Sequence, residues 1–264
     1  MTLSCLKGML FLRPYSTAYL CAIVFVAAAG CTKSAAPASR TITVAAASNL
    51  TGVMDEFAGL FEKQSKIKVV LSYGSTAQLA QQIANGAPFD LFAAADTDHV
   101  DDLISAGKLR RDSRAVYARG QLALWVPDTN LSVNRLEDLL RPEVRIIAVA
   151  QPRLAPYGQA ALEALKRSQV WDRVQPKIVY ANNISVARQY AASGNANAAF
   201  TALSLIRRAA GTVIKVDPSL YRPIDQALGI ASDTAHHEAA QRFRTFLLGP
   251  EGRRVLKNNG YQVP

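Results

Sequence analysis

Cysteine is scarce in this sequence, and its placement excludes two kinds of site. The three cysteines all lie within the first 31 residues, at Cys5, Cys21 and Cys31. The rest of the chain therefore has no thiol for a structural disulfide or for a thiolate-bound metal ion.

Histidines and catalytic motifs are also sparse. The three histidines, His99, His236 and His237, have none of the spacings of a metal-binding helix such as H-x-x-x-H, and we expect the adjacent pair to lie on the solvated surface. No G-x-S-x-G, H-E-x-x-H or phosphate-binding loop occurs. Asp90 and Asp96 have no partner carboxylate, histidine or cysteine in a motif, so we expect both to be structural. These absences argue against an enzyme and against a cofactor.

Long runs of one charge are missing as well, although the chain is basic. Its formal net charge is +10, and Lys7 and Arg13 belong to a segment that we expect to be removed on export. The longest basic runs are pairs, among them Arg110-Arg111, Arg207-Arg208 and Arg253-Arg254. Nucleic-acid binding calls for a basic patch or stripe, so this pattern indicates a solvated basic surface and no nucleic-acid partner. Half of the residues are apolar and 19% are charged, as in ordinary globular proteins.

The first thirty residues have the features of an export signal. Lys7 and Arg13 precede an apolar stretch from Ala18 to Ala29 that is too short to span a membrane. The small residues before Cys31 resemble the bacterial lipobox, in which this cysteine becomes the lipid-modified first residue of the mature protein. We predict a signal peptide over residues 1–30 and a lipidated Cys31 with a flexible tether over residues 31–40. The alternative is a soluble protein that is cut near Ala29.

Short apolar strands alternate with helices along the rest of the chain. The first three strands cover residues 41–46, 67–72 and 90–95, and the same alternation recurs between residues 145 and 201. This pattern predicts parallel βαβ units in two α/β lobes, each a mostly parallel sheet flanked by helices. The extended apolar segments 115–126 and 221–231 are candidates for the two chain crossings. We assign residues 41–119 and 229–264 to the first lobe, which includes one C-terminal helix, and residues 120–228 to the second.

Four predicted loops lead from a strand into a helix, the place where open α/β sheets bind ligands. They are Ala45–Asn49, Tyr73–Thr76, Ala155–Gly158 and Asn182–Ser185, and none contains Lys or Arg. Each supplies backbone amides at a helix start, and serine hydroxyls add to them, which is an arrangement that holds an anion with partial charges. Ser and Asn also cap helices without any ligand, and Tyr157 suits an interface equally well. The loops indicate either an anion site shared by two lobes or routine capping.

Three stretches carry a resemblance to a known family. They are Ala-Ala-Ala-Ser-Asn-Leu at 45–50, Gly-Ser-Thr-Ala-Gln-Leu at 74–79 and Gly-Ala-Pro-Phe-Asp-Leu-Phe-Ala-Ala-Ala-Asp at 86–96. Together with residues 152–158 and 246–254, they resemble the periplasmic molybdate-binding proteins of ATP-driven uptake systems over residues 41–264. The resemblance implies a type II periplasmic binding-protein fold, with two α/β lobes, two crossings and the ligand in the cleft.

The same resemblance implies which residues hold the ligand, molybdate or tungstate, as an oxyanion and not as a bare metal ion. The family's contacts fall on Ser48 and Ser75 in the first lobe, on Tyr157 and the Ile184 amide in the second, with Asn49 and Thr76 as further candidates. A tyrosine that some members supply from a later strand has no counterpart in Phe200–Leu203, and Tyr157 is the candidate to replace it.

The resemblance also implies partners and location. It predicts a monomeric, exported periplasmic protein that touches the membrane only through its lipid anchor. Such a protein delivers its anion to the permease of an ABC transporter and catalyses no reaction. A receptor for sulfate or phosphate is the alternative within this class, and a small α/β enzyme is the alternative outside it.

Overall fold

The structure is a computed structural model that describes residues 41–264. The predicted signal peptide, Cys31 and the tether lie outside the described residues. The strands of the described part are β1 (Thr41–Ala47), β2 (Lys68–Gly74), β3 (Leu91–Ala93), β4 (Ala115–Gly120), β5 (Leu122–Val126), β6 (Ile147–Ala150), β7 (Ile178–Ala181), β8 (Ala198–Ala202), β9 (Thr212–Lys215) and β10 (Ile224–Ile230). The α-helices are α1 (Val53–Ser65), α2 (Thr76–Ala84), α3 (Asp98–Ser105), α4 (Pro156–Arg167), α5 (Trp171–Val174), α6 (Ile184–Ala192), α7 (His237–Leu248) and α8 (Pro250–Asn258).

Two five-stranded sheets form the framework and define two lobes. The strand order is β2-β1-β3-β10-β4 in lobe 1 and β7-β6-β8-β5-β9 in lobe 2. In each sheet four strands run in one direction and one runs opposite, β10 in lobe 1 and β5 in lobe 2. The predicted two-lobed α/β fold with mostly parallel sheets is therefore confirmed.

Helices cover both faces of each sheet, because the strands carry apolar residues on both sides. In lobe 1, α1, α7 and α8 pack on one face, and α2 and α3 pack on the other. In lobe 2, α4 and α5 pack on one face and α6 packs on the other. The helix starts that follow the parallel strands are thus held at the edge where the two lobes meet.

The chain passes between the lobes twice, and the passages are short. β4 ends at Gly120 and β5 begins at Leu122, so Gln121 alone joins the two lobes at the first passage. The second passage precedes β10, whose whole length pairs in lobe 1. The boundary expected between residues 228 and 229 therefore falls inside a lobe 1 strand. The boundary predicted from the apolar run 221–231 lies too far towards the C-terminus. Such a run does not reveal where a connection ends and a strand begins.

The C-terminal helical segment divides into two helices, where the sequence suggests one. α7 ends at Leu248 and α8 begins at Pro250. Proline lacks an N–H and cannot continue a helix, but it suits the first turn of the next one. Phe243 and Phe246 of α7 pack against Phe61 of α1 in lobe 1, with ring centroids 5.1 and 5.6 Å apart. Within residues 41–264, no helix combines the length and the hydropathy that a membrane span requires.

Asp90 is part of a hydrogen-bonded junction that includes one of the two adjacent histidines. The Asp90 carboxylate accepts the Thr43 N–H at 2.7 Å and the Thr234 hydroxyl. His236 Nδ1 lies 3.1 Å from Asp90 Oδ1, and His236 lies at the surface, as expected, with its side chain 39% exposed and one ring nitrogen at this junction. His237 is exposed.

Candidate functional site

Four loops at the carboxyl ends of parallel strands meet at one small cavity between the lobes. β1 leads into a 3₁₀ turn, Ser48–Leu50, and β2 leads into α2. From lobe 2, β6 leads into α4 and β7 into α6. All six residues singled out from the sequence line this cavity, namely Ser48, Asn49, Ser75, Thr76, Tyr157 and Ile184. Residues as far apart along the chain as Ser48 and Ile184 are thus brought together.

The cavity is small and its lining carries no charge. Its volume is about 10 Å³, far below the roughly 300–1,000 Å³ of pockets for drug-sized ligands. The other lining residues are alanine, glycine and proline. A ligand in this space must therefore be small and held by neutral hydrogen-bonding groups.

Three helices begin at the wall of the cavity, α2 at Thr76, α4 at Pro156 and α6 at Ile184. The first N–H groups of a helix have no partner within the helix, and the helix dipole places a partial positive charge there. In α6 the Asn183 side chain accepts the Val186 N–H at 3.0 Å, which leaves the Ile184 N–H outside this cap. Three such ends create a positive potential without a charged side chain, and this arrangement suits an anion.

Ser48 and Ser75 are the serines of the lobe 1 wall of the cavity, and they are only 4% and 2% exposed. Neither hydroxyl makes a helix-capping hydrogen bond, so routine capping does not account for them. Ser48 accepts from Thr51 and Ser185 through its carbonyl oxygen, so neither of these bonds occupies its hydroxyl. The Ser75 hydroxyl donates to Gln78 Oε1 at 2.8 Å. It can serve a ligand by turning away from that glutamine.

Asn49 and Thr76 are buried on the same wall, but their side chains already have partners. The Asn49 Nδ2 group donates to Gln226 Oε1 and to the Tyr261 hydroxyl, each at 3.0 Å. Thr76 Oγ1 accepts the Ala95 N–H at 3.1 Å. Because an amide nitrogen has two hydrogens, Asn49 can donate to a ligand only through its backbone N–H. Thr76 retains its hydroxyl hydrogen.

Tyr157 is the titratable residue of the lining, and it is 1% exposed. Its hydroxyl oxygen accepts from Gln226 Nε2 at 3.0 Å, so its own hydrogen remains for donation. Burial raises the pKa of Tyr157 well above its ordinary value, so the hydroxyl stays protonated. A Cβ atom at Gly120 would overlap this hydroxyl and lie 2.6 Å from Gln226 Nε2. The position of the hydroxyl therefore depends on a glycine at the first passage between lobes.

Gln226 of β10 is the centre of a buried network behind the cavity that sequence reasoning missed. It is fully buried, and its Oε1 accepts from Asn49 and from the Tyr117 hydroxyl, the latter at 2.9 Å. The Tyr261 hydroxyl joins the network through Asn49, and burial raises the pKa of Tyr261 to about 12. The bonded partners lie 69 to 212 positions apart. No local sequence pattern signals contacts of this range.

Residues 200–203 do not line the cavity. Thr201 is fully buried, and its hydroxyl has no hydrogen-bond partner within the described part of the chain. Tyr157 is the tyrosine of the lining, and its replacement of the tyrosine that some family members use stays a prediction.

A wider groove opens beside the cavity and holds the nearby charges. It is lined from lobe 1 by Asp96 and His99 and from lobe 2 by Arg153, Glu163 and Arg222. His99 Nδ1 lies 2.7 Å from Asp96 Oδ2, and this hydrogen bond raises the pKa of His99. Arg222 pairs with Glu163 at 2.9 Å. Nowhere in residues 41–264 do three or more His, Cys, Asp or Glu side chains form a group that could hold a metal ion.

Comparison with known proteins identifies the family. The family model described as "Bacterial extracellular solute-binding protein" matches residues 42–262. The chain belongs to this family.

Relatives of this solute-binding protein include two molybdate-binding proteins ModA. The protein from Azotobacter vinelandii is 34% identical, and the match covers 90% of this chain and 96% of the relative. The protein from Rhodobacter capsulatus is 33% identical, and the match covers 85% of this chain and 89% of the relative. The solved structure of the A. vinelandii periplasmic molybdate-binding protein matches with a TM-score of 0.82 and covers 84% of this chain and 99% of that chain. A Bacillus subtilis protein, provisionally named an ABC transporter substrate-binding lipoprotein, is 27% identical over 94% of this chain and 98% of its own.

Proposed function

We propose that this solute-binding protein binds molybdate in the cavity between its lobes and delivers it to the permease of an ABC transporter. The observation that carries the proposal is the convergence of three helix N-termini on a small cavity whose lining has no charged side chain. The names of the two ModA relatives support molybdate as the ligand. The protein carries out no reaction, and its only task is capture and handover.

Neutral dipoles are the means by which this site holds a dianion. The Ser48 and Ser75 hydroxyls and the Thr76 amide donate from lobe 1, and the Tyr157 hydroxyl and the Ile184 amide donate from lobe 2. A hydrogen bond to a charged group contributes about 1.5–3 kcal/mol, so several such donors hold an anion without a lysine or arginine. Tungstate has the same shape and charge and binds as well. Donors on both lobes make the closed arrangement the one that binds most tightly.

The proposed cellular setting is supported by the sequence of the N-terminal segment and by the names of the relatives. The signal peptide directs export to the periplasm, and the lipid on Cys31 holds the mature protein at the membrane. The name of the B. subtilis relative, which includes both an ABC transporter and a lipoprotein, supports this part of the proposal. The mature protein acts as a monomer.

Isothermal titration calorimetry of the purified protein with molybdate, tungstate, sulfate and phosphate tests the ligand assignment. Molybdate and tungstate should bind with similar affinity. The shorter bonds of sulfate and phosphate prevent their oxygens from reaching all donors at once, and each buried donor left unpaired costs about 1–3 kcal/mol. Sulfate or phosphate binding within tenfold of molybdate would refute the assignment.

A further inference from the structure

Two serine hydroxyls of lobe 2 reach across the gap between the lobes and donate to backbone carbonyls of lobe 1. The Ser185 hydroxyl of α6 donates to the Ser48 carbonyl at 2.8 Å. The Ser204 hydroxyl, in the 3₁₀ turn after β8, donates to the Asn49 carbonyl at 3.0 Å. Neither serine lines the cavity. Both bonds therefore join the lobes at the loop that carries the proposed ligand donors, without using the space for the ligand.

Each of these carbonyls keeps a donor from its own lobe. The Ser48 carbonyl also accepts the Thr51 N–H at 3.2 Å and the Thr51 hydroxyl at 2.8 Å. The Asn49 carbonyl also accepts the Tyr261 hydroxyl at 2.8 Å, and Tyr261 belongs to the lobe 1 core. If the lobes separate, neither carbonyl becomes a buried acceptor without a partner, which is the costly outcome of breaking a hydrogen bond. These two bonds can therefore break and form again at low cost.

The two serine bonds also orient backbone N–H donors of the site, because a carbonyl group shares its peptide plane with the N–H of the next residue. In a trans peptide the C=O of one residue and the N–H of the next point in opposite directions. A donor on the Ser48 carbonyl thus fixes the direction of the Asn49 N–H, and hydrogen bonds in such a chain polarise one another. Ser185 follows Ile184 directly, so closure aligns the lobe 1 turn and the start of α6 in one step.

We propose that Ser185 and Ser204 are positioning residues that form a reversible latch, which holds the lobes closed over the anion and slows its release without touching it. This inference rests on the proposed function, since it assumes that an oxyanion occupies the cavity. The latch exists only in the closed arrangement. It acts on the dissociation rate and leaves the rate of encounter unchanged.

The test uses the full mature protein with Ser185→Ala, Ser204→Ala and the double variant, and stopped-flow measurement of molybdate association and dissociation. Each single variant should raise the dissociation rate about 3- to 10-fold, the range that corresponds to one neutral hydrogen bond, with association within twofold of wild type. Ser193→Ala is the matched control, because the Ser193 hydroxyl donates within its own lobe to the Tyr190 carbonyl at 3.2 Å. Ser204→Thr keeps the hydroxyl and should restore slow release.

Small-angle scattering without ligand separates failure of the latch from failure of the proposed function. The double variant should have a larger radius of gyration than wild type, because the closed arrangement loses the bonds that Ser185 and Ser204 donate and the one that Ser204 Oγ accepts from the Tyr261 hydroxyl at 3.0 Å. Equal radii together with unchanged dissociation rates would overturn the latch. A wild-type protein that binds no oxyanion would refute the proposed function, and the ligand-free radii would then decide the latch alone.

Discussion

Gly120 offers the sharpest test of how the cavity is built. It ends β4 next to the first passage between lobes, and replacement by alanine adds one methyl group where there is no space. The added Cβ would overlap the Tyr157 hydroxyl oxygen and lie 2.6 Å from Gln226 Nε2 and 2.8 Å from Tyr157 Cζ. Its backbone is not in the left-handed region, so the cost of Gly120→Ala comes from the collision and not from conformational strain.

The expected magnitude has two parts. Overpacking of a buried site costs about 1–3 kcal/mol of unfolding free energy, which lowers the melting temperature by roughly 2–12 °C in a protein of this size. Displacing the Tyr157 donor costs a further about 1.5–3 kcal/mol of molybdate binding, or roughly a 10- to 150-fold rise in Kd. Calorimetry measures the second effect and a thermal melt without ligand measures the first.

Gly59→Ala is the matched control for this substitution. Gly59 lies in α1, and a Cβ there would meet nothing within 4 Å. Alanine in a helix interior should stabilise the protein by about 0.5–1 kcal/mol and leave molybdate binding unchanged. A Gly120→Ala variant with wild-type affinity and melting temperature would refute the account of Tyr157 as a donor held in place by Gly120 and Gln226.

Three further predictions address the site and its setting. Ser48→Ala and Ser75→Ala should each weaken molybdate binding by about 1.5–3 kcal/mol without lowering the melting temperature, and wild-type affinity in both would exclude these hydroxyls as donors. The affinity for molybdate should stay constant between about pH 7 and 9. Loss of the Tyr157 proton would remove a donor and add a negative charge, but it occurs only above the raised pKa of Tyr157. Calorimetry that finds a decline in affinity of more than threefold in this window would contradict this prediction. Cys31→Ala should abolish incorporation of labelled palmitate and leave an unprocessed or mislocalised precursor, whereas a wild-type protein that takes up no label would favour the soluble form cut near Ala29.

The parts of the fold and site that could be predicted are those encoded locally. Ser48 follows a strand and Ile184 begins a helix, and both facts are visible in a few neighbouring residues. Because parallel strands end at one edge of a sheet, loops that are distant in sequence were expected to meet there, and they do. Whether these residues bind the ligand stays a prediction.

The parts that could not be predicted depend on contacts between distant segments. Gln226 meets Asn49 across 177 positions and Tyr117 across 109. Ser204 meets Asn49 across 155 positions, and in the sequence it is an ordinary serine after an apolar strand. The extent of β10 was misjudged for a similar reason. The lobe that β10 joins is decided by its pairing with β3 and β4 and not by its own apolar residues.

The position of β10 has a consequence for the order in which the protein is completed during synthesis and export. Lobe 2 is continuous in the chain, from β5 to the second passage, and all its strands emerge before β10 does. Lobe 1 is interrupted, because β10 lies between β3 and β4 in the sheet and is the last strand to be made. Until residues 224–230 emerge, β4 has no neighbour in its sheet and the apolar edge of β3 stays open. A chain that stops before residue 224 therefore contains a complete second lobe and a first lobe that cannot close, which makes such a fragment prone to aggregation at its unpaired strands.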